Sequence, residues 1–130
     1  MKKKINQEEL IDSALEQLNK AYAPFSGFAV GAALLSKSGK VFTGVNVENS
    51  SYGLSICAER VACVKAVSEG EKEFDMIVVA TDSDEPSTPC GACRQFLWEF
   101  GDMRVVLVNK EKKTKEYMLS ELLPDGFILK

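Results

Sequence analysis

The chain has 130 residues, of which 45% are hydrophobic and 27% charged, and its formal net charge is −3. That length suits a single domain over 1–130 with its own core and no disulfide staples, and the acidic balance argues against a nucleic-acid backbone as partner. Histidine is absent, so no Ser-His or Cys-His pair can operate within the chain, and protons near neutral pH must move through a carboxylate, Lys, Tyr, Cys or a metal-bound water.

No apolar run approaches the roughly 18 residues of a membrane span. The start, Met1-Lys-Lys-Lys-Ile, lacks the apolar stretch of a secretory signal. A cytoplasmic location with no membrane partner is expected, and there four cysteines read as metal ligands or free thiols rather than disulfides.

Taken in order, residues 6–21 read as an amphipathic helix. Leu10, Ile11, Ala14, Leu15 and Leu18 recur at helical spacing, Glu8, Asp12, Glu16 and Lys20 take the other side, and Asn6 is the N-cap. Residues 23–27 break the pattern with a Pro and a Gly. A strand follows over 28–36, apolar on both faces and therefore central and covered on both sides. Residues 37–40 are a turn, and 41–48 form the second strand of a hairpin. Asn46 and Glu48, two apart, share one face of that strand; they either face a site or mark the strand running out into solvent.

Residues 49–56 are a polar loop containing Tyr52. A helix follows over 57–68, stopped by Gly70. Then come a short buried strand over 75–81, a loop rich in Asp, Ser and Pro over 82–89, and a helix over 90–100 ended by Gly101. A strand over 103–109, a charged turn over 110–115, a short edge strand over 116–118, one helical turn over 120–124 capped by Ser120, and a tail over 125–130 complete the chain. The alternation of strand and helix in the second half implies parallel pairing there. The expected fold is α/β, a three-layer α/β/α sandwich with a mixed sheet of about five strands.

Two motifs concentrate the chemistry: Cys57-Ala-Glu59-Arg60 and Pro89-Cys90-Gly-Ala-Cys93-Arg94. Both fall in loops entering helices just after strands, where open α/β sheets place their sites. Three thiolates are the usual protein share of an open zinc site, and a nearby carboxylate can handle the protons of a water there. Cys90 and Cys93 sit about 60° apart on one side of a helix. Cys57 and Glu59 would face opposite ways inside a helix, about 200° apart, so they share a site only if Cys57 stands at the helix start. Arg60 and Arg94 either hydrogen-bond the thiolate sulfurs from behind or are solvated helix arginines. Cys63, about 240° round from Cys57, points away and packs in the core. A thiol-redox pair at Cys90 and Cys93 would leave Cys57 and Glu59 idle, and a structural zinc module would want a fourth Cys or His.

Cys57-Ala-Glu59 followed by Pro89-Cys90-x-x-Cys93 resembles the signature of zinc-dependent nucleobase and nucleoside deaminases in its three-cysteine form. Phe28-Ala-Val30-Gly-Ala-Ala, Asn46-Val-Glu48-Asn49 and Tyr52 are similar to the nucleoside-binding stretches of small cytidine deaminases, and the likeness runs from about Tyr22 to Pro124. Phe25 stands where many relatives carry Tyr, and Ser50 where Ala is common.

The resemblance implies hydrolytic deamination of cytidine and deoxycytidine in pyrimidine salvage, with one Zn²⁺ per subunit held by Cys57, Cys90 and Cys93. It implies Glu59 as the proton carrier, Asn46 and Glu48 on the ribose 3′-hydroxyl, and Phe28 stacked near the base. It also implies a homotetramer with shared active sites, in which Tyr52 and Phe127 reach a neighbour's pocket; Phe127 reads equally as a plain C-terminal core plug. The competing readings are a deaminase of another cytosine-containing nucleoside or antibiotic, and a structural zinc interaction module.

Overall fold

The structure, a computed structural model, describes residues 5–129. Residues 1–4, read above as no signal, and the final residue of the 125–130 tail lie outside the described residues.

The first helix, α1 (Gln7–Gln17), starts where its sequence says it should: the Asn6 side chain accepts the Glu9 N–H at 2.8 Å. It ends earlier than its periodicity. A single 3₁₀ turn (Leu18–Lys20) follows, and Tyr22 then leaves the helix to pair with main chain at Asn46 and Glu48. Tertiary pairing overrides the local pattern at that point.

Five strands form one sheet: β1 (Val30–Ser36), β2 (Val41–Val45), β3 (Phe74–Thr81), β4 (Arg104–Asn109) and β5 (Thr114–Met118). Their spatial order is β2-β1-β3-β4-β5. Only β3 and β4 are parallel; the other neighbours run antiparallel. The parallel pair is joined through α3 (Gly91–Trp98), and α2 (Ala58–Ser68) connects β2 to β3.

Alternate residues of each strand feed two cores. On one face, Leu10, Ala14 and Leu18 of the first helical segment pack on Ala33, Leu35, Val78, Ala80, Val106 and Val108. On the other, Ala58, Ala62, Cys63 and Ala66 of α2, Leu97 of α3 and Leu119 of α4 (Leu119–Leu122) pack on Ala32, Leu34, Ile77, Val79, Val105 and Leu107. This is the expected α/β/α sandwich with a mixed five-stranded sheet, and Cys63 lies fully buried in its core.

Several boundaries differ from the sequence reading. β1 starts at Val30 rather than 28, and β2 stops at Val45 rather than 48. Asn46 ends the strand by turning its amide onto the segment entering β1: it donates to the Phe28 carbonyl at 2.8 Å and accepts from the Val30 N–H at 2.9 Å. β5 begins at Thr114, inside the stretch read as a turn. Ser120 is not a helix cap. α4 begins one residue earlier, Glu121 takes the Met118 N–H, and the Ser120 N–H is held by Asp102.

Candidate active site

The two cysteine motifs meet because two helices begin side by side. Cys57 is the N-cap of α2 and Cys90 the N-cap of α3, both in extended backbone. The helix arithmetic requires that placement for Cys57 if it is to share a site with Glu59; the sequence reading starts the helix over 90–100 at Cys90 itself, one residue before α3 begins. Cys93 lies one turn into α3 and is buried. The Sγ atoms of Cys57 and Cys90 are 3.7 Å apart, those of Cys90 and Cys93 3.4 Å, and all three lie within 4.8 Å of one another.

The cluster favours negative charge unevenly. A hydrogen bond from Cys93, helped by Arg60 and Cys90 against the cost of burial, pulls the Cys57 thiol down to about 5. The same bond, with burial, pushes the Cys93 thiol far up. Metal-free, Cys57 thus becomes a thiolate easily while Cys93 resists ionisation, and a cation bound there is what draws the Cys93 proton off. Glu59 is only 4% exposed, and burial pushes its carboxyl up to about 7. A carboxyl poised near neutrality can both take and give a proton.

The two arginines part company. The Arg60 Nη2 reaches Cys57 Sγ at 3.7 Å, and its buried Nε has no hydrogen-bond partner among the described residues. Arg94 does not reach a sulfur in this way. Its Nε donates to the Pro89 carbonyl at 2.9 Å and its Nη1 to the Leu122 carbonyl at 2.7 Å. The pairing of Arg94 with the thiolates is corrected accordingly: main-chain carbonyls before α3 and at the end of α4 hold it first.

A pocket of about 310 Å³ opens onto these groups. Cys57, Glu59 and Cys90 line it, together with Phe28, Asn46 and Glu48. Asn46 and Glu48 come to one wall after β2 has ended, because the intervening Val47 bridges Tyr22 on one side and Ile56 on the other. Glu48 accepts from the Phe25 and Ser26 N–H groups at 2.9 and 3.1 Å, and also from the Ser26 hydroxyl. That hydroxyl, first among these donors, holds the Glu48 carboxyl below its usual range.

Tyr52 and Phe127 do not line this pocket. Tyr52 is 72% exposed and stacks edge-on to Phe25. Phe127 is 64% exposed, its main chain held at both N–H and C=O by the Gln95 amide. An exposed Phe127 is not a core plug.

Sequence reasoning missed Ser26, Ser55, Ile56, Thr81, Ser87 and Thr88 as lining residues. Ile56 and Thr88 had a signal in their closeness to the cysteine motifs, and Thr81 in its place at the carboxyl end of a parallel strand. Ser26 had none.

The donor set suits zinc. Thiolates about 2.3 Å from a tetrahedral Zn²⁺ stand about 3.8 Å apart, close to the 3.4 and 3.7 Å separations here. Three soft ligands also leave the fourth position to water or substrate, as hydrolytic zinc sites do.

Fold and site together define a zinc-dependent hydrolase with a pocket sized for a small molecule. Residues 4–109 match the family described as the cytidine and deoxycytidylate deaminase zinc-binding region. Over 127 residues the chain is 58% identical to a protein of Dictyostelium discoideum named probable cytidine deaminase, which covers 95% of this chain and 86% of that one. It is 46% identical over 125 residues to the cytidine deaminase of Halalkalibacterium halodurans, covering 95% of each. The crystal structure of the cytidine deaminase from Burkholderia pseudomallei matches with a TM-score of 0.91 at 45% identity, over 95% of this chain and 100% of the other. The chain belongs to the cytidine and deoxycytidylate deaminase family.

Proposed function

We propose that this chain hydrolyses cytidine and 2′-deoxycytidine to uridine and 2′-deoxyuridine with release of ammonia, in pyrimidine salvage. The observation that carries the reading is the buried Glu59 carboxyl, set beside three clustered thiols in a pocket that also presents Asn46 and Glu48.

Cys57, Cys90 and Cys93 would hold the zinc, which when bound supplies Lewis-acid activation of a water. Glu59 moves the protons. Its carboxylate takes one from the attacking water and gives it to ring N3; it then takes the second from the oxygen now bonded to C4 and delivers it to the 4-amino group as the C4–N bond breaks and ammonia leaves. The raised Glu59 carboxyl serves both halves of this exchange. Arg60 offsets the negative charge on Cys57. Asn46 and Glu48 hold the ribose 3′-hydroxyl; the Glu48 carboxylate, pre-ordered by Ser26 and Phe25, is a fixed acceptor. Phe28 packs near the base.

The assembly is a homotetramer with shared sites, acting in the cytoplasm. The exposed Tyr52 and Phe127 complete a neighbour's pocket, and the single domain over 1–130 is one subunit. Among the described residues no helix is long and apolar enough to cross a membrane. The test is the fall in cytidine's ultraviolet absorbance with purified, zinc-loaded protein, repeated after chelation. Turnover that chelation abolishes and zinc restores is expected. Zinc-loaded protein that leaves both nucleosides untouched would overturn the reading.

A further inference from the structure

The loop over 82–89 carries Ser87 and Thr88 into the pocket and delivers Cys90 to the start of α3. It has no regular secondary structure, so something outside it must fix its course. On its solvent side stand ion pairs: Asp82 with Lys110 at 3.1 Å, and Glu85 with Lys113 at 2.7 Å and Lys115 at 4.0 Å. All of these side chains are about half exposed or more, and exposed pairs of this kind contribute little.

On its inner side three side chains hold it: Thr81, whose hydroxyl is 2.8 Å from that of Ser83 near the loop's start; Arg94, which donates to the Pro89 carbonyl at its end; and, between them, Asn109, fully buried. It ends β4 and lies in register with Thr81, which ends β3 and lines the pocket. Its amide is used on both sides. The Oδ1 accepts the Glu111 N–H at 3.1 Å and the Lys113 N–H at 2.9 Å, closing the β4–β5 turn. The Nδ2 donates to the Asp84 carbonyl at 2.7 Å, inside the 82–89 loop. A buried amide bonded at both its nitrogen and its oxygen is worth far more than a solvated ion pair, because losing one partner strands the other away from water.

We propose that Asn109 is a positioning residue for the active site: its amide fastens the 82–89 loop to the β4–β5 turn and so sets where Ser87, Thr88 and Cys90 stand. The two ends of the amide do separate work. Only the Nδ2 end touches the loop; the Oδ1 end serves the turn alone. Asp in its place keeps the acceptor and loses the donor to Asp84. Ala loses both.

The kinetic part of the test rests on the function proposed above; the metal part does not. Asn109→Asp, Asn109→Ala and, as a surface control, Lys113→Ala are loaded with Co²⁺ and with Zn²⁺. Co²⁺ reports the thiolate set through its sulfur-to-metal absorption, and competition with a chelator gives the affinity. Both Asn109 variants are expected to bind metal about tenfold or more weakly, with an altered Co²⁺ spectrum and a raised KM for cytidine; Lys113→Ala should match the parent. If Ala at 109 does not fold, the Asp variant carries the test, because it keeps the acceptor for the turn. Variants that lose thermal stability but keep the parent's spectrum, metal affinity and KM would show Asn109 to be merely structural, and a Lys113→Ala defect of equal size would give the role to the surface charges. If the parent fails to turn over cytidine, the function fails while the Co²⁺ comparison still decides the role of Asn109.

Discussion

Gly44 of β2 lies directly beneath the Ala58 carbonyl of α2: a Cβ added to Gly44 would stand 2.4 Å from that oxygen and 2.6 Å from the Ala62 nitrogen. No side chain fits there, so α2 rests main chain to main chain on the sheet. The first turn of the helix, with Glu59 and its N-cap Cys57, takes its height above the sheet from this contact.

Replacing Gly44 with Ala must lift or tilt α2. The expected cost is about 1–3 kcal/mol, as for other overpacked sites, read as a lower urea midpoint at unchanged slope. Zinc affinity should fall with it, because Cys57 moves while Cys90 and Cys93 stay. A midpoint equal to the parent's would show that α2 shifts without cost.

Glu59→Gln keeps the shape of the buried side chain and removes its proton transfer. Turnover of cytidine should drop by at least about 10²–10⁴-fold, while zinc content and the unfolding midpoint hold. A variant with near-parental kcat would move the proton chemistry elsewhere.

The arginines should separate cleanly. Arg60→Ala removes the donor to Cys57 Sγ, so zinc should bind about 10–100-fold more weakly. Arg94→Ala instead frees the Pro89 and Leu122 carbonyls. Its main effect should be on the unfolding midpoint. Chelator competition on both variants measures the contrast.

If Phe127 completes a neighbour's pocket, two dead proteins can repair one another. Glu59→Gln lacks the proton carrier and Phe127→Ala lacks the donated ring. Subunits mixed, unfolded and refolded together should regain activity above the sum of the two refolded alone. In the mixture some pockets combine an intact Glu59 from one chain with an intact Phe127 from the other. Strict additivity would confine each active site to a single chain.

Cys63 makes a pH prediction. Its thiol lies in the core, and burial pushes it up from 9.0 to about 11. Below pH 9 folded and unfolded chains both keep this proton, so its contribution to stability is whole. Between about 9 and 11 the unfolded chain loses the proton while the folded chain keeps it, and stability falls as pH rises. The loss approaches about 2–3 kcal/mol by the upper end. Urea unfolding of the zinc-loaded protein across this range should show a steeper alkaline decline than Cys63→Ala, which lacks the thiol. Parallel curves would disprove the assignment.

The parts of this architecture that were legible in the sequence are those governed by local rules. Asn6 announces a cap, the two-sided apolar run over 28–36 announces a central strand, and helix geometry, given that Cys57 and Glu59 share a site, places Cys57 at an N-cap. What was illegible depends on partners distant in sequence. Alternation extends β2 to Glu48, because no periodicity shows that the Asn46 amide turns to Phe28 and Val30. Arg94 follows a ligand motif as Arg60 does, yet sequence adjacency says nothing of direction, and Leu122 lies 28 residues away. Asn109 reads as the polar end of a strand, and only the folded chain brings Asp84 to its amide.

The sheet ends in β2 on one side and β5 on the other. At β2 the Lys65 ammonium, from α2, donates to the Thr43 carbonyl at 2.6 Å. β5 is almost wholly exposed and carries Lys115 and Glu116, the latter bound by Arg104. A charged outer strand such as β5 resists the addition of a strand from another molecule, the first step toward fibrillar aggregation, and on β2 the Lys65 side chain occupies one main-chain carbonyl. Lengthening of the sheet from copy to copy is discouraged most at the β5 margin. The exposed apolar side chains, among them Tyr52, Leu54 and Phe127, are then the surface on which the proposed closed assembly would have to form.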